Sequence, residues 1–199
     1  MRSGLFVLAL VVSAGCGRRE EAPPGVIEQL RQGLKSPDAK ARQAAAVSVG
    51  ELGPKAKALV PDLVTALEDK DDGVRVRAAA ALWSVGAEAR EAVGALKQAL
   101  KDKNADVRLS AAGALGEMAP GSTEAVAPLG EALKDKSPTV RGQAAQSLGR
   151  FGPAGKDAVP ALTTATRDPD PSARTAAAYA LGERPKLLSA KAARRFAAI

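Results

Sequence analysis

Histidine is missing from all 199 residues, cysteine occurs once, and only five side chains are Trp, Tyr or Phe. Without histidine the chain lacks the commonest general base at neutral pH and the commonest metal ligand. With Cys16 alone it can form neither an intramolecular disulfide nor a cysteine-based zinc site. No catalytic group, cofactor or metal site can be assigned, and the chain is expected to be a non-enzyme. Long apolar runs are missing too. The run Leu5 to Val12 spans eight residues, against the roughly 20 that a membrane-spanning helix needs.

What is present is alanine, set among Leu, Arg, Lys and Glu. Alanine has the highest helix propensity, and with so few aromatic residues this mixture favours helix over sheet. The 13 prolines and 19 glycines then fall mostly between helices.

Arg2, the run Leu5 to Val12 and the small residues Ser13, Ala14 and Gly15 follow the plan of an export signal over 1–15. Ser13-Ala14-Gly15-Cys16 resembles the bacterial lipobox, although that motif more often has Leu where this chain has Ser13. The resemblance implies that Cys16 is acylated and becomes the lipidated N-terminus. It also implies an exported protein anchored to a bacterial membrane, with Gly17 favouring the outer membrane of a two-membrane cell. Residues 16–25 read as a short tether, with Arg18, Arg19, Glu20 and Glu21 before Pro23 and Pro24. Nine extended residues reach about 30 Å, so the domain would work close to the bilayer.

The rest of the chain repeats every 33 residues. One arginine column runs Arg42, Arg75, Arg108, Arg141, Arg174. Beside it run Ala45, Ala78, Ala111, Ala144, Ala177 and Val49, Leu82, Leu115, Leu148, Leu181. Upstream lie the columns of Ile27 and its Val counterparts and of Leu30 and its Leu counterparts. The spacings i, i+3 and i+7 in Val60, Leu63 and Leu67, and i, i+4 and i+8 in Val74, Ala78 and Leu82, put each set on one helical face. Each unit is therefore a helical hairpin. Asp38, Asp71, Asn104, Ser137 and Asp170 are suited to cap the second helix. Gly53-Pro54, Gly86, Ala119-Pro120 and Gly152-Pro153 stop it, while Pro61 and Pro160 suit the first turn of the next helix.

The expected fold is all-α, a right-handed solenoid of five hairpins over 26–182, with repeats at about 26–53, 59–86, 92–119, 125–152 and 158–182. Residues 183–199 would form a C-terminal capping helix. It carries Leu188, Ala192, Phe196 and Ile199 on one face and Lys191, Arg194 and Arg195 elsewhere; a basic helix of this kind could alternatively lie on an anionic membrane. Leu100-Lys101-Asp102, Asp106-Val107-Arg108, Ala111-Ala112 and Ala114-Leu115-Gly116 resemble a PBS-lyase-type HEAT-like repeat. Such repeats occur in chromophore lyases, in a metal-dependent hydroxylase that uses paired His-Glu motifs, and in many scaffolds. The absence of histidine excludes the hydroxylase, and export would misplace a lyase, which stays a remote alternative. Function must be argued from sites rather than from the fold.

The arginine column is read as a structural ladder. An acid or hydroxyl stands six residues before each arginine, at Ser36, Asp69, Asp102, Asp135 and Asp168, and stacking would bring these groups to arginines of the same or the next repeat. The acidic run Glu68, Asp69, Asp71 and Asp72 falls in an interhelical loop where capping already accounts for Asp71.

A partner-binding face is expected on the second helices, where positions 43, 47 and 50 and their counterparts should point outward on the concave side. Its candidates are Val76, Trp83, Leu109, Arg150 and Tyr179, Trp83 standing in a column otherwise made of Gly50, Gly116, Gly149 and Gly182. An aromatic anchor in an apolar strip suits a binding hot spot; the bland reading is that Trp83 fills a local gap. The expected function is an envelope-anchored protein-binding scaffold with an unknown protein partner, acting as a monomer. The alternative is an electrostatic binder of anionic envelope polymer, headgroups or nucleic acid, since removal of 1–15 takes away only Arg2 from a chain of net +7. An export signal argues against nucleic acid.

Overall fold

A computed structural model describes residues 21–119 and 121–182. Cys16, the export signal and the capping segment 183–199 lie outside the described residues.

Among the described residues ten α-helices form five hairpins. They are α1 (Pro24–Leu34) with α2 (Ala39–Leu52), α3 (Val60–Ala66) with α4 (Asp72–Val85), α5 (Val93–Ala99) with α6 (Ala105–Glu117), α7 (Val126–Ala132) with α8 (Pro138–Arg150), and α9 (Val159–Ala165) with α10 (Pro171–Gly182). The described residues include no strand, and no helix among them is long and apolar enough to cross a membrane.

No hairpin can bury its apolar stripe alone, so the units stack into one continuous core. Val49, Leu82, Leu115, Leu148 and Leu181 from the second helices meet Leu63, Leu96, Leu129 and Leu162 from the first, all essentially inaccessible to solvent. Leu30, in the first repeat, has neighbours on one side only and is partly exposed. The second helices pack against one another more extensively than the first helices do. In a curved stack the closer-packed layer is the inner one, which makes α2, α4, α6, α8 and α10 the concave face.

Three local features depart from the sequence expectation. The tether ends sooner than residue 25: Ala22 is buried and its N–H donates to the Lys55 carbonyl at 3.2 Å, while Pro24 opens α1. A proline at that position loses no helical hydrogen bond, because the first N–H groups of a helix have no intrahelical acceptor. Secondly, the glycine stops do not lead into loops. Gly53, Gly86 and Gly152 have φ of 56°, 67° and 52°, and each starts a seven-residue 3₁₀ turn (Gly53–Leu59, Gly86–Ala92, Gly152–Ala158) that runs into the next first helix. Thirdly, Asp38, Asp71, Asn104 and Asp170 accept backbone N–H groups as N-caps, but Ser137 does not. Its hydroxyl is engaged with that of Thr139 at 2.8 Å.

Candidate functional site

The most regular polar feature is the arginine column. Arg42 donates through Nε and Nη2 to both oxygens of Asp69, at 2.7 and 2.8 Å. Arg75 does the same to Asp102, Arg108 to Asp135 and Arg141 to Asp168. Every pair joins one repeat to the next. The third nitrogen, Nη1, turns back to its own repeat and donates to the carbonyls of the interhelical loop, in Arg108 those of Asp102 and Lys103. Each aspartate also accepts the N–H two residues ahead, as Asp135 does from Ser137. One guanidinium thus closes its own loop and clamps the following one, which is the bidentate geometry that arginine supplies and lysine cannot.

Both ends of this ladder differ. Ser36 occupies the aspartate position of the first repeat, its Oγ accepting the Asp38 N–H at 3.2 Å. Arg174 keeps the two loop carbonyls, Asp168 and Pro169, and among the described residues it has no aspartate. The acidic loop of the second repeat is similarly committed, with Asp69 on Arg42, Asp71 capping α4, and Asp72 on Arg75 and Lys103. Among the described residues no three His, Cys, Asp or Glu side chains gather as a metal cluster.

Hydrogen bonds from Arg42 and Arg141 hold the carboxyls of Asp69 and Asp168 below their ordinary range. Burial pulls those of Asp102 and Asp135 upward, but the hydrogen bonds from Arg75, Arg108 and the backbone outweigh it, so these too are lowered. The arginines are raised by the same bonds. A carboxyl depressed in the folded state stabilises the fold fully above its unfolded pKa, and that stability is lost as pH falls through the folded value. Urea midpoints should therefore be insensitive to the ladder above about pH 5 and fall below about pH 4. Asp135→Asn should flatten that acid limb, and an unchanged limb would show that the rung contributes nothing to it.

The concave strip places the five sequence candidates in different settings. Val76 on α4 and Leu109 on α6 are half-buried against the core, and Tyr179 on α10 is 63% exposed. Trp83 is partly buried. Its indole N–H donates to Glu117 Oε1 at 3.2 Å, and its ring lies over Gly113, where a Cβ would come within 2.6 Å of three ring atoms. The glycine column containing Trp83 marks close helix approach: a Cβ on Gly116 would meet Ser147, and one on Gly149 would meet Ala180 at 3.2 Å. Position 50 and its counterparts therefore face the neighbouring second helix rather than open solvent. At the α4–α6 junction the large and small partners are exchanged, tryptophan standing for glycine and Gly113 standing where other repeats have Val47, Ala80, Gln146 or Tyr179.

Glu117, which sequence reasoning passed over, ties the strip together. Its Oε1 accepts the Trp83 indole N–H and forms an ion pair with Arg150, whose Nη1 lies 2.7 Å away. Trp83, Glu117 and Arg150 thus form a polar link across α4, α6 and α8. The signal was available, since Glu117 and Arg150 occupy the same repeat column with opposite charge. Beyond Arg150 a groove of about 750 Å³ opens between α8 and α10, with Tyr179 on its wall. The strip offers apolar contact and directed hydrogen bonds, the chemistry of recognition.

A family model described as HEAT repeats matches residues 27–93, 60–139, 93–182 and 126–197, overlapping spans that cover all five hairpins. Among solved structures, the complex of CpcE and CpcF of phycocyanin lyase from Nostoc sp. PCC7120 is similar, with a TM-score of 0.70 and 26% identity over 88% of this chain and 71% of that one. An engineered protein is similar with a TM-score of 0.63 and 26% identity, over 79% of this chain and 78% of the other. Computationally designed armadillo repeat proteins for modular peptide recognition give a TM-score of 0.66 at 21% identity, over 80% of this chain and 82% of the other, a likeness of fold alone. Among curated proteins no match is found.

Proposed function

From the premise that this chain belongs to the HEAT repeat family, we propose that it is a non-enzymatic scaffold that binds a partner protein along the concave face of its second helices. Repeat solenoids present extended concave surfaces suited to this task. The observation that carries the proposal is the strip of Val47, Val76, Trp83, Leu109 and Tyr179, apolar or aromatic side chains left half-buried or exposed on one face of an otherwise uniform repeat. The likeness to the Nostoc lyase complex lies in a repeat that scaffolds share, so no lyase activity is carried over.

Capture from the native envelope tests this. The doubly substituted Val47→Glu, Tyr179→Ala chain alters two exposed positions and should lose its partner while keeping the parent's helical circular dichroism. Gln98→Ala, on α5 in the outer layer, should retain it. Equal capture by both variants would place the partner elsewhere.

The proposal includes anchoring at the cell envelope through acylated Cys16, supported by the run Leu5 to Val12 and the Ser13-Ala14-Gly15-Cys16 motif. The parent chain should incorporate labelled palmitate and fractionate with membranes, and Cys16→Ala should do neither. Equal labelling of the two would dismiss the lipid anchor.

A further inference from the structure

The two halves of the concave strip differ in chemistry. Its apolar side chains lie on α2, α4 and α6. The groove between α8 and α10 adds polar groups, Gln146, Arg150 and Ser172, to apolar Pro171, Ala176 and Tyr179, and contains one cation and no carboxylate among its lining residues.

Arg150 is the centre of this contrast. Its side chain is 51% exposed, its Nη1 lies 2.7 Å from Glu117 Oε1, and Glu117 also accepts the Trp83 indole N–H. Among the described residues Glu117 is the one with which its guanidinium forms an ion pair. In every complete rung of the ladder the Nε and Nη2 edge of the arginine takes both oxygens of an aspartate. Half-exposed at a groove wall, Arg150 carries the same kind of edge that this fold uses elsewhere to bind carboxylate. The Gln146 amide lies one turn before it on α8, while Ser172 and Thr175 line the groove toward the start of α10, the Thr175 hydroxyl donating to the Pro171 carbonyl at 2.9 Å. A single guanidinium suits one or two carboxylates, whereas a phosphate polymer needs a succession of cations.

We propose that the α8–α10 groove receives an acidic segment of the partner polypeptide, one of its carboxylates docking on the Nε and Nη2 edge of Arg150, while the apolar residues that accompany it lie along α4 and α6. The inference rests on the scaffold reading above and adds the chemistry of the ligand and its direction along the strip. Glu117 acts as a positioning residue, holding the guanidinium by its other nitrogen.

The test uses the full chain and three fluorescein-labelled probes. One is a twelve-residue peptide with leucines in its first half and glutamates in its second. Another carries glutamine for each glutamate, and the third is a single-stranded DNA of equal length. By anisotropy the glutamate peptide should bind about tenfold tighter than the glutamine peptide, the scale of one charge-assisted contact. Arg150→Gln should erase that difference, Glu117→Gln should reduce it, and Arg77→Gln, at an exposed cation on α4 outside the groove, should leave it intact. Equal binding of both peptides, lost in the Val47→Glu, Tyr179→Ala chain, would overturn the acidic preference and leave the scaffold reading standing. Preference for the DNA, survival of the difference in Arg150→Gln, or failure of both peptides to bind would overturn the inference. The envelope capture separately decides the scaffold reading.

Discussion

Replacing Asp135 with alanine is expected to destabilise the fold by about 3 to 5 kcal/mol, the usual cost of removing one partner from a buried ion pair. The Arg108 side chain is only 5% exposed and that of Asp135 12%. Arginine cannot shed its proton, so the substitution leaves a buried cation with Nε and Nη2 unsatisfied and deprives the Ser137 N–H of its acceptor. Urea unfolding of the single variant measures the cost. The double replacement Arg108→Met, Asp135→Leu should cost less than the single one, because two apolar side chains leave no orphaned charge. A loss below about 1 kcal/mol for Asp135→Ala would place the rung with ordinary surface ion pairs. Arg108→Lys should be damaging too, since a point charge cannot engage both carboxylate oxygens and two loop carbonyls at once. Each rung links only adjacent repeats. The Asp135 lesion should therefore appear in hydrogen exchange as earlier opening of α8 and α10 relative to α2 and α4.

Gly113→Val is expected to cost about 1 to 3 kcal/mol through overpacking. The new Cβ would fall 2.6 Å from three atoms of the Trp83 ring, a separation that no adjustment of the valine side chain relieves. The indole must leave its seat, and with it the hydrogen bond to Glu117. Trp83 is the chain's only tryptophan, so its fluorescence should shift to the red as the ring moves into water. Adding Trp83→Gly restores the glycine present at that position in the other repeats, and the double variant should be more stable than Gly113→Val alone. Simple addition of the two losses would show that the ring and Gly113 do not share one space.

Much of the fold could be read from the column spacing, and the two halves of the ladder were visible as recurring Arg and Asp. Which repeat supplied the aspartate was not. An acid six residues before an arginine is also 27 residues after the preceding one, and both relations recur at the same period. The molecule uses both: the nearer aspartate lends its backbone carbonyl and the farther one its side chain, as Arg108 shows with Asp102 and Asp135. Trp83 was conspicuous as a break in a glycine column. Its seat became evident only when the neighbouring column, 30 residues on, was seen to break in the opposite sense at Gly113. The 3₁₀ entry turns were not legible, because a glycine stop announces where a helix ends and not the path by which the next begins. Ser137 shows the limit of composition at caps. Its residue type suited the position, but a nearby threonine hydroxyl engaged it instead.

The serine at position 36 bears on how these molecules meet one another. A stack of identical units has unlike ends, and unlike ends that fit can join copy after copy into a filament without closure. Among the described residues Arg174, in the last hairpin, has no aspartate, while the matching place in the first hairpin offers a single hydroxyl already accepting the Asp38 N–H. A second molecule added head to tail would thus meet a joint without its two-pronged clasp. One side chain, a hydroxyl where the later repeats carry a carboxylate, leaves the first repeat without the acceptor that each of the others offers to the arginine before it.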